Sequence, residues 1–217
     1  MQPIRAVITA DVVQFTGLTR ELQQQLIGKI SSALSSCRYD FYRGDSFSAY
    51  LENPGSGLSL ALRLRLIALN HRGPDSANPT DLRASIGIGA VDEPMESLRT
   101  ATGEAFTISG RNLDQILNSK QRLILQSTDP SQGPVLRVIA AFMDYLLGRL
   151  TAKQAEVIAV LLEGKTQVEV AEQLHKSQAT ISQHVQSSGW AEIEMLLKEY
   201  ELLWRGSQIE NPENGSS

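Results

Sequence analysis

Apolar and polar residues run in blocks whose period changes along the chain. Residues 6–15, AVITADVVQF, form a short β-rich apolar run. Residues 18–36, LTRELQQQLIGKISSALSS, repeat at helical spacing, with Leu22, Leu26, Ile30 and Ala33 on one face. YDFYRGDSFSAYLE, residues 39–52, reads as two strands around a tight Arg43-Gly44-Asp45 turn. A helix over 58–70, a strand over 82–91, a helix over 104–118 and a strand over 121–128 follow. Arg63 and Arg65 lie in the apolar 58–70 helix and are expected to extend their heads into solvent. The order βαββαβαβ predicts an α/β or α+β sheet covered on one face by helices.

The stretch 127–134, STDPSQGP, has linker composition, and beyond it every periodic segment is helical. The first helix, within 135–150, is apolar at Val138, Ile139, Phe142, Leu146 and Leu150. Three short helices and an amphipathic fourth, with Trp190, Ile193, Leu197, Tyr200 and Trp204 on one face, complete an all-α unit. The expected organisation is an α+β domain over 1–127, a linker and connecting helix over 128–149, a helical domain over 150–204, and a polar disordered tail over 205–217.

With 217 residues and 41% hydrophobic content, the chain can bury a core. No apolar run approaches the roughly 20 residues a bilayer span needs. The N-terminus lacks the pattern of a secretory signal, and the single cysteine, Cys37, excludes an internal disulfide. These features predict a cytoplasmic protein with no membrane partner. Net charge is −4, and residues 130–205 hold 7 basic against 9 acidic side chains.

Residues 150–188 contain mutually consistent helix signals. Gly164 stands where a left-handed cap is expected, Thr166 and Glu169 form a capping box, and Ser177 caps a further helix. Ala171 is small where two helices cross, and Leu174, Ile181 and Val185 face inward. Helix, tight turn and second helix at this spacing suit major-groove entry. This segment resembles the helix-turn-helix of sigma-factor region 4 and related response regulators. The resemblance implies DNA as a partner. It puts Gln178, Ala179, Thr180, Ser182 and Gln183 on or near the base-facing surface, with His184 and Lys176 near the backbone. Gln can bond adenine bidentately, and Ser and Thr adapt to either base type. Lys153, Lys165, Lys176 and Lys198 are the only basic residues of 150–204 apart from histidine, so a monomer should bind weakly and a dimer on two half-sites better.

In the N-terminal unit Asp11 ends an apolar strand and Asp45 sits in the hairpin turn. If the first strand is central, the two carboxylates can converge as a site for Mg²⁺ or Mn²⁺. The alternative is that Asp11 caps the next helix and Asp45 is ordinary turn chemistry. ADVVQFTGL, YRGDSFSAYLENP, LRASIGIGAV and GEAFTISGRNLDQI resemble, in order, four motifs of class III nucleotidyl cyclases. The whole layout resembles SatD-like bacterial proteins. The resemblance implies a ferredoxin-like, nucleotidyl cyclase-like sheet and a homodimer. It implies that Asp11 and Asp45 bind metal, that Val12, Val13, Gln14 and Phe15 lie near a triphosphate, and that Arg111 is the catalytic arginine if the domain is active. Phe41 stands where the base-selecting lysine falls, Thr107 where the ribose asparagine falls, and Thr100 at the second base-selecting position.

Three functions follow from this reading. The chain is a DNA-binding transcriptional regulator with a degenerate cyclase-like domain for sensing or dimerisation, in which case a nucleotide is a ligand. Alternatively it is an active metal-dependent nucleotidyl cyclase or related enzyme regulated by its helices, or it is a protein-interaction adaptor. His71 is expected in an exposed loop, and His175 and His184 flank the turn and second helix, so no metal cluster is expected from histidines.

Overall fold

The structure is a computed structural model that describes residues 3–42, 44–71 and 80–205. Arg43 of the expected turn and the tail from 206 onward lie outside the described residues. Five strands form one sheet in the order β2-β3-β1-β4-β5: β1 Ile4–Val13, β2 Arg38–Phe41, β3 Ser46–Leu51, β4 Asp81–Ala90 and β5 Leu123–Ser127. All neighbours are antiparallel except β4 and β5. Helix α1 (Arg20–Leu34) links β1 to β2, α2 (Gly57–Leu69) links β3 to β4, and α3 (Glu104–Ile116) links β4 to β5. The βαββαβαβ order of elements continues into α4 (Gly133–Leu147), and the class is α+β.

Helices cover both faces of this sheet, not one. Ala6, Ile8, Ala10 and Val12 of β1 pack with Leu26, Ile30, Leu58 and Leu62 of α1 and α2. On the opposite face, Val7 and Tyr50 pack with Ala105 of α3 and with Val91 and Leu98 of the loop before it. The second covering depends on small residues. A Cβ on Gly87 would stand 2.7 Å from the Ser109 amide nitrogen, so only glycine lets α3 lie this close to β4.

Beyond α4, the helices are α5 (Ala152–Leu161), α6 (Gln167–Gln173), α7 (Gln178–Ser188) and α8 (Trp190–Arg205). Val157, Val160, Leu161, Val170, Ala171 and Ile181 make a small core among α5, α6 and α7. Ala155, Ile158, Ile193, Leu196, Tyr200 and Trp204 instead join the core beneath the sheet. Tyr200 and Trp204 are buried, and the Tyr200 hydroxyl lies 3.1 Å from where a Cβ on Gly57 would stand. The loop at 127–134 is therefore not a break in packing.

Two side chains expected at the surface are buried. Arg65 is 5% exposed because Asp81 and Asp144 meet it: Nε donates to Asp81 at 2.8 Å and Nη1 to Asp144 at 2.5 Å. His71 is buried at the end of α2, where Nε2 lies 2.7 Å from the Leu22 carbonyl. Burial lowers its pKa.

Candidate functional sites

Asp11 lies on central strand β1, between Ser46 of β3 and Arg83 of β4. Alternation along β1 turns it to the α3 side of the sheet, in line with Val7 and Thr9. Thr9 meets Ser48 at 3.2 Å and Ser109 at 2.8 Å, so the strip leading to Asp11 is hydroxyl-lined. Arg83 Nη2 donates to Asp11 Oδ2 at 2.8 Å, and its Nη1 donates to the Leu117 carbonyl. Asp11 Oδ1 is buried with no hydrogen-bond partner.

The β2–β3 turn brings Asp45 to the same place. Its carbonyl accepts from the Val12 amide at 3.1 Å, beyond the last paired residues Asp11 and Ser46. Burial raises the Asp11 pKa, Arg83 opposes this, and the Asp45 charge raises it further. Thr19, and not Asp11, caps α1.

Carboxylate oxygens are the donor type a hard divalent cation takes, and Asp45 lies near enough for its charge to act on Asp11. The partnerless Oδ1 would be the ligand atom of Asp11, while Arg83 fixes Oδ2 as outer partners commonly fix ligating carboxylates. Such a cation would supply charge stabilisation to a bound phosphate. Among the described residues no group of three or more His, Cys, Asp or Glu side chains is placed to hold a metal.

The remaining N-terminal candidates disperse within one chain. Val12 is buried toward α1 and α2, and Val13 ends the strand. Gln14 adopts a left-handed φ of 64° and starts a 3-10 turn in which Phe15 packs against the core. Gln23 Nε2 donates to the carbonyls of Phe15 and Leu18, fixing this loop. Thr107 and Arg111 are exposed one turn apart on α3, whereas Ala105, Ser109, Asn112 and Leu113 are buried. Thr100 is exposed in the loop before α3. Phe41 packs with Phe47, ring centroids 5.3 Å apart, and joins the core on the face opposite Asp11. Asp40, on the Asp11 side, is held by Arg99 at 2.6 Å.

The helical candidates cluster more tightly. Thr166 and Glu169 make a capping box for α6, Ser177 caps α7, and Gly164 has the expected left-handed φ of 82°. Between α6 and α7 the His175 amide bonds the Glu172 carbonyl, and the Lys176 amide bonds the Ala171 carbonyl. This is a Schellman turn with His175, φ 51°, at the position glycine usually takes. Ile181 and Ser188 face inward, while Gln178, Ala179, Ser182, Gln183 and Gln186 share the exposed face of α7. Thr180 is half-buried, 2.8 Å from the Ser177 hydroxyl, and Lys176 and His184 are half-buried. Gln186 and the Thr151–Gln154 capping box of α5 were not singled out from the sequence, although Thr-x-x-Gln is a readable signal.

No family model and no curated protein sequence matches the chain. Among solved structures, a bacterial light-regulated adenylyl cyclase superposes with a TM-score of 0.44 at 16% identity, covering 58% of this chain and 76% of that one. An adenylyl cyclase from P. aeruginosa gives 0.42 at 15%, covering 53% and 73%. A guanylyl cyclase gives 0.43 at 15%, covering 58% and 77%.

Proposed function

We propose that the chain is a DNA-binding transcriptional regulator that reads base edges with α7, its α+β unit serving as a sensing and dimerisation platform. The observation that carries this reading is the exposed face of α7. It holds amide and hydroxyl side chains that take no part in the core, on a helix fixed by a capped N-terminus and a tight turn. Gln178, Ala179, Ser182 and Gln183 read bases, Thr180 supports the first turn, and Lys176 and His184 approach phosphate. The test is fluorescence anisotropy on genomic fragments at low salt, followed by selection of a preferred site. Gln183→Ala should cost about 1–3 kcal/mol on that site and relax preference at one base pair. Binding to no fragment at low salt would leave the adaptor reading in its place.

The pairing of Asp11 with Asp45 favours a nucleotide or divalent cation as the ligand that the platform senses. The ligand acts on DNA affinity only through unequal binding to two arrangements of the dimer. Operator affinity measured with and without Mn²⁺ and a nucleotide panel tests this, and an unchanged affinity at saturation rejects it. A second reading, an active nucleotidyl cyclase, draws on the partnerless Asp11 Oδ1 beside Asp45. Turnover of a nucleoside triphosphate that disappears in Asp45→Ala would establish it.

A further inference from the structure

Helix α4 is apolar on two sides. Leu136, Ile139, Ala140, Met143 and Leu147 are buried beneath the sheet, and Asp144 is anchored to Arg65 and to the Arg122 amide. The helix cannot roll to hide its other side. That side presents Val135, Val138, Phe142 and Tyr145, which are 38, 66, 39 and 56% exposed. Their spacing of three, four and three residues follows the 3.5-residue period of a two-helix seam. A helix apolar all round is normally covered.

We infer that this stripe is a homodimer seam in which α4 of one chain pairs antiparallel with α4 of a second copy, centred on Phe142. The aromatic part is already ordered: the Phe142 and Tyr145 rings stack with centroids 6.3 Å apart and planes 6° from parallel. Arg149 lies 5.2 Å from the Tyr145 ring centre and donates to its hydroxyl at 2.9 Å. Side chains fixed before association lose little freedom on binding. Ala141 and Gly148 are exposed on the same side, and small residues there let two helix axes approach closely.

Charge selects the occupant and its direction. The exposed side of α4 and the turn after it carry Arg137 and Arg149 and no acid, because Asp144 turns inward. Parallel pairing would set Arg149 against its own copy. Antiparallel pairing about Phe142 brings Arg137 level with the partner's last helical turn, the negative end of the helix dipole. It also directs Arg149 toward the partner's N-terminal end, where Asp129 is exposed and accepts from the Ser131 amide. The seam deepens the proposed function, since α4 leads directly into α5 and would set the separation of the two α7 helices.

The test is sedimentation equilibrium of the full-length chain at tens of micromolar, with DNA binding measured separately. The wild type should sediment at twice the chain mass. Phe142→Asp, at an exposed position and checked for an unchanged far-UV circular dichroism spectrum, should weaken association at least about 30-fold, as for loss of an aromatic interface anchor. Met195→Asp, exposed on α8, should leave the dimer intact. In a Cys37→Ser background, Phe142→Cys should cross-link to itself under mild oxidation and Val135→Cys should not. A monomeric wild type, a dimer insensitive to Phe142→Asp, or self-linking at 135 instead of 142 overturns the seam. An intact dimer that binds no DNA supports the seam and counts only against the regulator reading.

Discussion

Arg83 and Asp11 face each other across β1 and β4, the guanidinium donating to one carboxylate oxygen at 2.8 Å while the other oxygen has no partner. One bond does not offset burial, and the Asp11 pKa stands above its ordinary value of 3.8. A raised carboxyl value means that the folded state prefers the protonated form. Its stabilising effect is present below the ordinary value and is lost as pH rises through the raised one. The ionised form of Asp11 is therefore a net cost to the folded state. Asp11→Asn, which can still accept from Arg83, should melt higher than wild type at neutral pH, with the gap closing in acid. Thermal denaturation at the two pH values checks this, and a variant that melts lower at neutral pH would refute it.

Gly87→Ala should cost about 3 kcal/mol or more, because the new methyl meets α3 backbone and not a movable side chain. Urea denaturation gives the number. Gly110→Ala, where a Cβ meets nothing within 4 Å, is the matched control and should be neutral or stabilising.

The same glycine shows how far the sequence could be read. SIGIGAV marks β4 as a strand, and the order and kind of the strands and α-helices follow from residue patterning, though the short 3-10 turns do not. That a second helix layer covers the sheet depends on which backbone fits against Gly87, and no one-dimensional pattern carries that distance. Arg65 and His71 were misplaced for a related reason. Their burial requires Asp81, Asp144 and the Leu22 carbonyl, which come from remote segments. The closeness of Asp11 and Asp45 was legible, because a hairpin beside a central strand brings them together. The exposed positions of Thr107 and Arg111 were not, since they depend on how α3 is rotated about its axis.

Arg65→Met should cost about 3–5 kcal/mol, because Asp81 and Asp144 would be left as half-buried charges without their main partner. Arg122, 3.4 Å from Asp81, compensates only in part. Amide exchange in α4 should accelerate along with the global loss, since Asp144 is its polar anchor.

At the α6–α7 turn, Ser177→Ala should cost about 1 kcal/mol by freeing an amide at the start of α7. His175→Gly should stabilise by about 1 kcal/mol by relieving a left-handed backbone. If DNA affinity follows neither change, the turn does not position α7 on DNA.

With four lysines and no arginine in residues 150–204, the slope of log affinity against log salt should be no steeper than about −4 per chain. A markedly steeper slope would require phosphate contacts from the α+β unit.

Tyr200 and Trp204 sit deep against the segment that opens α2, and Ile158 shares their core with the sheet. The last helix is in this sense a keystone: cut away, it would open the base of the sheet as well as the helical array. A fragment ending near residue 150 should therefore not survive as a folded body, and neither half can be transplanted alone. On the proposed reading, a ligand bound at Asp11 would act on α7 through one continuously packed body. What such a body can change is how it is turned against a second body, much as a hand turns a key without bending it.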